Sequence, residues 1–350
     1  MEHQTPTKKE TMNHYRPKNI LVTGGAGFIG CNYVRYMLGR YSDIEIVNLD
    51  KLTYAGSLDN LSDLANEPRH HFVQGDICDK ALMSQLLQQY SIDTIVHFAA
   101  ESHVDRSLSG PAEFINTNLI GTFTLLEAAR EHWHSSSELS IDSLSGECRF
   151  HHISTDEVYG TLNAIDKPFT ELTAYTPNSP YSASKAGSDH LVRAWHHSYG
   201  MPVTTSNCSN NYGPYQHAEK FIPTVIRACR QQARIPVYGD GSNIRDWLYV
   251  EDHCSGIDAV VRNGSIGETY NIGGNNEWAN IDICREICQL MDQHTVANAP
   301  HNQLIEFVAD RPGHDWRYAV DSTKISTQLN WQPRETFESG IVKTLNWYCK

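Results

Sequence analysis

A doubly wound, mostly parallel α/β sheet with a smaller C-terminal lobe is the fold class that this 350-residue sequence predicts, on three observations. Strand-like and helix-like patterns alternate from Lys18 to about Cys208, as a parallel sheet with crossover helices requires. A glycine-rich turn joins the first strand to the first helix. Beyond Tyr212-Gly-Pro214 the alternation fades into short strands, short helices and loops.

Residues 1–17 are polar and read as a flexible tail without a signal-peptide core, so the fold is expected to begin near Lys18. Asn19 to Thr23 is a short buried strand, and Gly24-Gly-Ala-Gly27-Phe28-Ile29-Gly30 then opens an amphipathic run through Val34 and Leu38. Gly24 and Gly27 permit a tight turn and close approach of a pyrophosphate to backbone N–H groups, and Gly30 lets the helix pack on the strand. Asp50 closes the next strand, Ile44 to Leu49, 20 residues after Gly30. Its carboxylate suits the hydroxyls of an adenosine ribose and repels a 2′-phosphate, which favours NAD over NADP. A plain turn would account for the glycines alone. Strand, helix and acid at the right spacing point instead to a Rossmann-type dinucleotide domain over residues 18–212. A third strand runs from Phe72 to Asp76-Ile77, and a fourth begins near Thr94 and leads into Phe98-Ala-Ala-Glu-Ser102. Strand ends of this kind are where a dinucleotide lies.

A helix is expected from Pro111 to Trp133, a Ser-rich surface loop from His134 to Glu147, and a strand from Arg149 to Ser154. Residues 213–350 are read as mainly a substrate-binding lobe, although Thr269 to Ile272 has the pattern of a strand that returns to the main sheet.

With 40% hydrophobic residues the chain can bury one large or two modest cores. A formal charge of −13, from 41 acidic and 28 basic residues, argues against nucleic acid or an anionic membrane as partner. No stretch reaches the roughly 18 apolar residues of a membrane span, so a cytoplasmic protein is expected. Nine scattered cysteines without a Cys-x-x-Cys pair disfavour both structural disulfides and zinc. Cys284 and Cys288 read as small buried hydrophobes, and the pairs His70-His71, His151-His152 and His196-His197 as surface or core.

The chemistry is concentrated in the middle of the chain. Tyr181 and Lys185 lie four apart at the start of a helix running to about Tyr199, and so share a face. A phenol with a pKa of ~10 is a poor base at neutral pH, and a neighbouring cation favours the phenolate. Thr155, Asp156 and Glu157 follow the strand end at Ser154. A capped turn or a solvated acidic pair would explain them in isolation. Beside a Tyr/Lys pair that already suffices for alcohol oxidation, two further carboxyl groups suggest a second step, such as loss of water.

At this point the chain, from residue 18 to about 349, resembles the dTDP-glucose 4,6-dehydratases, which are extended short-chain dehydrogenases/reductases. The resemblance is carried by Gly24 to Gly30, Ala99 to Ser107, Ser154 to Gly160, Tyr181-Ser-Ala-Ser-Lys185, Asn207 to Pro214, Arg245 to Asp252 and Asp310 to His314. It implies NAD as cofactor and dTDP-glucose as substrate. It also implies a catalytic set of Thr155, Asp156, Glu157, Tyr181 and Lys185, in which Tyr181 takes the 4-hydroxyl proton, Glu157 the C5 proton, and protonated Asp156 expels the 6-hydroxyl as water. It extends the cofactor set to Phe28, Ile29, Lys51, Leu52, Thr53, Asp76, Ile77, Phe98, Ala99, Ala100, Ser102, Thr117 and Asn211. For the substrate it implies Ser102, Asn210, Lys220, Phe221, Arg245, Asn280, Asp310, Arg311, Pro312, Gly313 and His314, with Pro236, Val237 and Tyr238 flanking the thymine. Phe221 and Trp316 stand where a smaller apolar and a basic residue would be expected. The product, a 4-keto-6-deoxy sugar, would feed rhamnose or related deoxysugar and polysaccharide synthesis. A homodimer through a four-helix interface is implied as well, with Phe123, Leu126, Leu191, Ala194 and Trp195 on the helices Leu119 to Trp133 and Ser182 to Tyr199.

Two other readings stay open. A nucleotide-sugar 4-epimerase would share the fold, NAD and the Tyr/Lys pair, but has no use for Asp156-Glu157. A non-catalytic NAD-binding regulator would have no need of both Tyr181 and Lys185.

Overall fold

The computed structural model describes residues 14–135, 146–294, 298–310 and 315–349. Its main sheet has seven parallel strands: β1 (Asn19–Thr23), β2 (Glu45–Asp50), β3 (His70–Gln74), β4 (Thr94–His97), β5 (Arg149–Thr155), β6 (Val203–Cys208) and, much later in sequence, β10 (Thr269–Ile272). Their spatial order is β10-β6-β5-β4-β1-β2-β3. The chain therefore reverses direction between β1 and β4, and the crevice at such a switch point is where an open parallel sheet binds ligands.

Each strand alternates its apolar side chains between two cores. Ile20, Val22, Ile46, Val96, Ile153 and Ile272 face helices α1 (Phe28–Arg40) and α8 (Val250–Asn263). Leu21, Val47, Leu49, Ile95 and Phe150 face α2 (Lys80–Gln89), α5 (Thr122–Ser135) and α6 (Pro180–Tyr199). Between α2 and α5 lie the short helices α3 (Val104–Ser109) and α4 (Pro111–Phe114).

The smaller lobe is built around β9 (Ile244–Tyr249), which pairs with β7 (Asn210–Tyr212), β11 (Glu277–Ala279) and β13 (Arg317–Tyr318). A two-stranded ribbon of β8 (Ile235–Tyr238) and β12 (Ile305–Val308) lies beside it in the chain. Helices α7 (Phe221–Gln231), α9 (Asn280–His294) and α11 (Phe337–Tyr348) close a third core on Trp247, Ile283, Ile287 and Phe337. Helix α10 (Thr323–Leu329) leans back on β10 through Ile325. Cys284 and Cys288 are fully buried in this core, and the Sγ of Cys288 lies 4.0 Å from that of Cys229.

Several elements differ from expectation. The third strand lies two residues earlier than expected, because its register on β2 runs from Ile46↔His70 to Asp50↔Gln74. Gly75 then turns out, its N–H bonding to the Asp50 carbonyl. The helix expected from Pro111 to Trp133 is broken by a π-helical turn over Ile115–Gly121. The end of the expected flexible tail is anchored. Tyr15 is 6% exposed, its ring lies under the Arg149 guanidinium at 4.8 Å, and its hydroxyl is 2.8 Å from Thr94 Oγ1. Most of the loop expected over His134 to Glu147 lies outside the described residues, as do residues 1–13. Among the described residues, no helix is long and apolar enough to cross a membrane.

Tyr15 closes the amino-terminal edge of the first core. Tyr15→Ala is expected to lower unfolding free energy by about 3 kcal/mol, read as a lower denaturant midpoint at unchanged slope.

Candidate active site

One cleft, with room of about 320 Å³, runs along the carboxyl ends of β1 to β6. Its floor at β1 is the glycine turn. Gly24 has φ +74°, and a Cβ there would lie 2.7 Å from the Ala99 nitrogen, so backbone alone fits. Gly27 caps α1 without any side-chain hydrogen bond, which leaves the first N–H groups of that helix available to an anion. At the end of β2, Asp50 accepts from Ala26 N at 2.9 Å and Leu52 N at 2.8 Å. Burial pushes its carboxyl pKa up, while those backbone N–H groups pull it down. At the end of β3, Asp76 pairs with Lys51 at 2.8 Å. This cradle fits the dinucleotide expected from the sequence, with Asp50 set for a ribose and Gly24 to Gly30 for a pyrophosphate.

Most of the expected cofactor residues line this cleft: Gly24, Gly27, Phe28, Ile29 and Gly30 at the turn, Asp50, Lys51 and Thr53 after β2, and Asp76 and Ile77 after β3. Phe98, Ala99, Ala100 and Ser102 follow from β4, Thr117 from the π turn and Asn211 from β7. Leu52 does not line it. Its backbone, at φ +57°, serves instead to turn an N–H onto Asp50.

The chemical end of the cleft is set by β5 and α6. Strand β5 ends at Thr155, whose hydroxyl accepts from Glu157 N at 3.3 Å and so caps a 3₁₀ turn over Asp156–Tyr159. Helix α6 starts at Pro180 in a capping box between Ser179 and Ser182, which fixes Tyr181 in its first turn, and it ends at Gly200 in the left-handed region. Thr155, Asp156, Glu157, Tyr181 and Lys185 all line the same cleft. Asp156 is 2% exposed; among the described residues its carboxyl makes a long contact from Thr155 Oγ1 at 3.4 Å and has no partner on Oδ2. Burial, with the negative charge of Glu157 and Asp246 added, holds its carboxyl well above the usual range against the pull of Arg245. Burial and the neighbouring negative charge thus favour the protonated form of Asp156.

Tyr181 behaves otherwise than its neighbour Lys185 led us to expect. Burial, then the charge of Glu157, pushes its phenol pKa well up, and a hydrogen bond with Thr155 opposes this. The Lys185 ammonium instead donates to the Ile153 carbonyl at 2.8 Å. Tyr181 is thus a phenol in the protein by itself.

On the lobe side, Ser102, Asn210 and Lys220 line the cleft; Lys220 Nζ reaches the Ser102 carbonyl at 3.3 Å, and Asn210 Oδ1 is buried with no partner among the described residues. Phe221, Pro236, Val237, Tyr238, Arg245, Asn280 and Asp310 do not line it. Phe221 opens α7 and stacks toward Trp247, with ring centroids 6.2 Å apart. Along β8, Pro236 and Tyr238 face outward, but Val237 is 2% exposed in the lobe core because side chains alternate there. Arg245 is 6% exposed and donates to the carbonyls of Ile244, Asp315 and Trp316, with its guanidinium 4.3 Å over the Tyr318 ring. Asn280 starts α9, and Asp310 follows β12 beside Gly239. Arg311, Pro312, Gly313 and His314 lie outside the described residues.

Glu101, Gln216 and His217 are among the cleft residues that the sequence reading did not assign to the site. Burial raises the Glu101 carboxyl pKa. Its backbone N–H and C=O are both bound by Asn118, a buried residue of the π turn that also donates to Ser184 Oγ at 2.8 Å. The only signal for Glu101 was its place between Ala99 and Ser107. Among the described residues, no group of three or more His, Cys, Asp or Glu is arranged to hold a metal ion.

The family model described as GDP-mannose 4,6 dehydratase matches residues 21–344. The dTDP-glucose 4,6-dehydratase of Salmonella typhimurium is 54% identical over 337 residues, covering 94% of this chain and 92% of that protein. The crystal structure of DesIV, a dTDP-glucose 4,6-dehydratase from Streptomyces venezuelae with NAD and TYD bound, superposes with a TM-score of 0.85 at 43% identity, over 95% of this chain and 97% of that one. A UDP-glucose 4-epimerase from Thermotoga maritima, solved with UDP-glucose, reaches a TM-score of 0.83 but only 25% identity, over 95% and 98% of the two chains. With half of its residues shared over almost its whole length, the chain belongs to the dTDP-glucose 4,6-dehydratase family, within the wider group that the GDP-mannose 4,6 dehydratase model describes.

Proposed function

We propose that this chain is an NAD-dependent dTDP-glucose 4,6-dehydratase, a hydro-lyase that makes dTDP-4-keto-6-deoxyglucose for deoxysugar synthesis. The observation that carries the reading is the pair Asp156 and Glu157 at the end of β5, in one cleft with Tyr181 and Lys185, with burial pushing the Asp156 carboxyl towards its protonated form. A 4-epimerase needs no second acid and base. The 54% identity to a dehydratase against 25% to an epimerase supports the same choice.

Gly24 to Gly30 and Asp50 would hold the cofactor, with Lys185 on the nicotinamide ribose. When bound, the oxidised nicotinamide supplies a positive charge, an acceptor for hydride from C4 and, later, its donor to C6. The side chains then do the following. Thr155 and Tyr181 bind the 4-hydroxyl, and Tyr181 removes its proton as the ketone forms; the positive field of the loaded cleft and Lys185 offsets the burial that otherwise keeps the phenol protonated. The 4-keto group acidifies the C5 hydrogen, which Glu157 abstracts. Asp156 gives its proton to the departing 6-hydroxyl, and water leaves. Return of a proton to C5 from Glu157 completes the sugar and restores Glu157 as base; Tyr181 has gained one proton and Asp156 has lost one, and exchange of that proton through solvent restores the starting state. On the lobe side, Lys220 and Arg245 suit the substrate pyrophosphate. Arg245 would have to exchange its carbonyl partners to reach it.

A homodimer is proposed through α5 and α6. Phe123 is 42% exposed and Tyr199 43%, and the Phe123 and Trp195 rings meet edge to face at 5.8 Å on the outer surface. Ala194 is exposed and Leu191 half-buried there, whereas Leu126, expected in this face, is fully buried against the sheet. Action in the cytoplasm is proposed as well, since all nine cysteines are free thiols, as a reducing compartment keeps them.

Incubation of purified protein and NAD with dTDP-glucose is expected to give the strong alkaline absorbance of a 4-keto product, at a rate well above that with UDP-glucose; a 4-epimerized sugar without that absorbance would overturn the reading. Asp156→Asn and Glu157→Gln should each lower dehydration on the order of 10²- to 10⁴-fold while leaving C4 oxidation measurable as reduced nicotinamide in a single turnover. Asp50→Ala should weaken NAD binding by roughly tenfold or more through loss of charge-assisted hydrogen bonds, as read by equilibrium titration of stripped protein.

A further inference from the structure

Beneath the catalytic lysine lies a buried polar cluster that none of the steps above uses. We propose that Asp189 is a positioning residue for the reaction: its carboxylate is the buried counter-ion of the Lys185 ammonium and, through β5, fixes where that ammonium points. This rests on the dehydratase reading.

Lys185 and Asp189 are one turn apart on the inner face of α6 and are 4% and 6% exposed. Both are gripped by consecutive residues of β5. Lys185 Nζ donates to the Ile153 carbonyl at 2.8 Å. On either side of Ile153, Ser154 Oγ donates to Asp189 Oδ2 at 2.8 Å, and His152 Nε2 lies 3.1 Å from Asp189 Oδ1 and 3.5 Å from Lys185 Nζ. His152 Nδ1 has no partner among the described residues. The imidazole proton therefore belongs on Nε2, where the carboxylate accepts it.

A neutral imidazole and a hydroxyl satisfy hydrogen bonds but cancel no charge. If Asp189 were only an acceptor for His152 and Ser154, an uncharged amide would fill the place at far lower desolvation cost. A full carboxylate is called for by the Lys185 ammonium, which lies 3.5 Å from the same His152 Nε2. Burial pushes the Lys185 pKa down and Asp189 pulls it back; burial pushes Asp189 up to about 6 and Lys185 opposes this. Above that value the carboxylate is charged and compensates Lys185; as pH falls through it, compensation is lost. The other titratable groups around the pair are His97 on β4, His152 on β5, Cys208 on β6, Tyr159 and Tyr175 from the segment after β5, and exposed His190 on α6. Burial drives His97 and His152 well down and Cys208, Tyr159 and Tyr175 up, so all five are neutral near pH 7. The charge in the cluster is that of Lys185 and Asp189.

The test is steady-state turnover of dTDP-glucose by the NAD-loaded holoenzyme carrying Asp189→Asn, across pH. We expect kcat to fall on the order of ten- to a hundredfold, with KM changed by less than about threefold. The alkaline limb of kcat should move down by about one to three pH units, as Lys185 loses its proton more readily. In a Lys185→Met background, Asp189→Asn should cost nothing further. A folded Asp189→Asn enzyme with unaltered kcat and alkaline limb overturns the proposal, as does an undiminished loss in the Lys185→Met background. Should Asp189→Asn not fold, Ser154→Ala decides: a smaller loss of kcat with a lowered alkaline limb supports the proposal, and an unaltered profile overturns it. Turnover by the unsubstituted enzyme in the same assay tests the dehydratase reading separately.

Discussion

A carboxyl group taken out of water beside other negative charge favours its protonated form, and the design of this cleft follows from that constraint at Asp156. Its Oδ2 has no partner among the described residues, Glu157 stands beside it and Asp246 adds a further negative charge. The cost of ionising Asp156 there sets its carboxyl apart from that of Glu157, its neighbour in sequence. The Arg245 guanidinium is the opposing influence, and its ties to the carbonyls of Ile244, Asp315 and Trp316 hold that influence in place.

The parallel sheet delivers every other group to the same crevice. Because all seven strands run one way, the glycine turn, Asp50, Asp76, Phe98 and Thr155 emerge on one edge without any long-range design beyond strand register. Helix α6 supplies Tyr181 and Lys185 from above that edge, and its buried face carries serines, a lysine and an aspartate where a helix in a core ordinarily carries leucines. That polar stripe is tolerated because β5 answers it with His152, Ser154 and the Ile153 carbonyl.

What the sequence disclosed and what it hid divide along physical lines. Gly24, Gly30 and Asp50 were legible because the backbone geometry they serve leaves few residue types able to serve it, and Asp156-Glu157 because a pair of acids beside Tyr181 and Lys185 has few other uses. The π turn over Ile115–Gly121 was not legible: one extra residue in a helix leaves the apolar period almost intact, yet it turns Asn118 onto Glu101. Val237 and Leu126 were placed on the wrong side of their elements, since orientation is set by the core that forms around them. Asp189 was passed over and His152 read only as surface or core because buried polar residues leave no periodic trace, and Tyr15 was passed over because a single aromatic in a polar stretch reveals its partner only once Arg149 is folded over it.

The return of β10 to the edge of the main sheet has a consequence for how such a protein diversifies. The chain leaves the sheet after β6 to build β7 to β9, comes back through α8 and β10, and leaves again for β11 and α9. The lobe is therefore stitched to the sheet at several crossings and cannot be traded as a cassette between relatives. Change in what the lobe side of the cleft admits has to come from loops grafted between fixed seams, which keeps sheet and lobe in one inherited alignment.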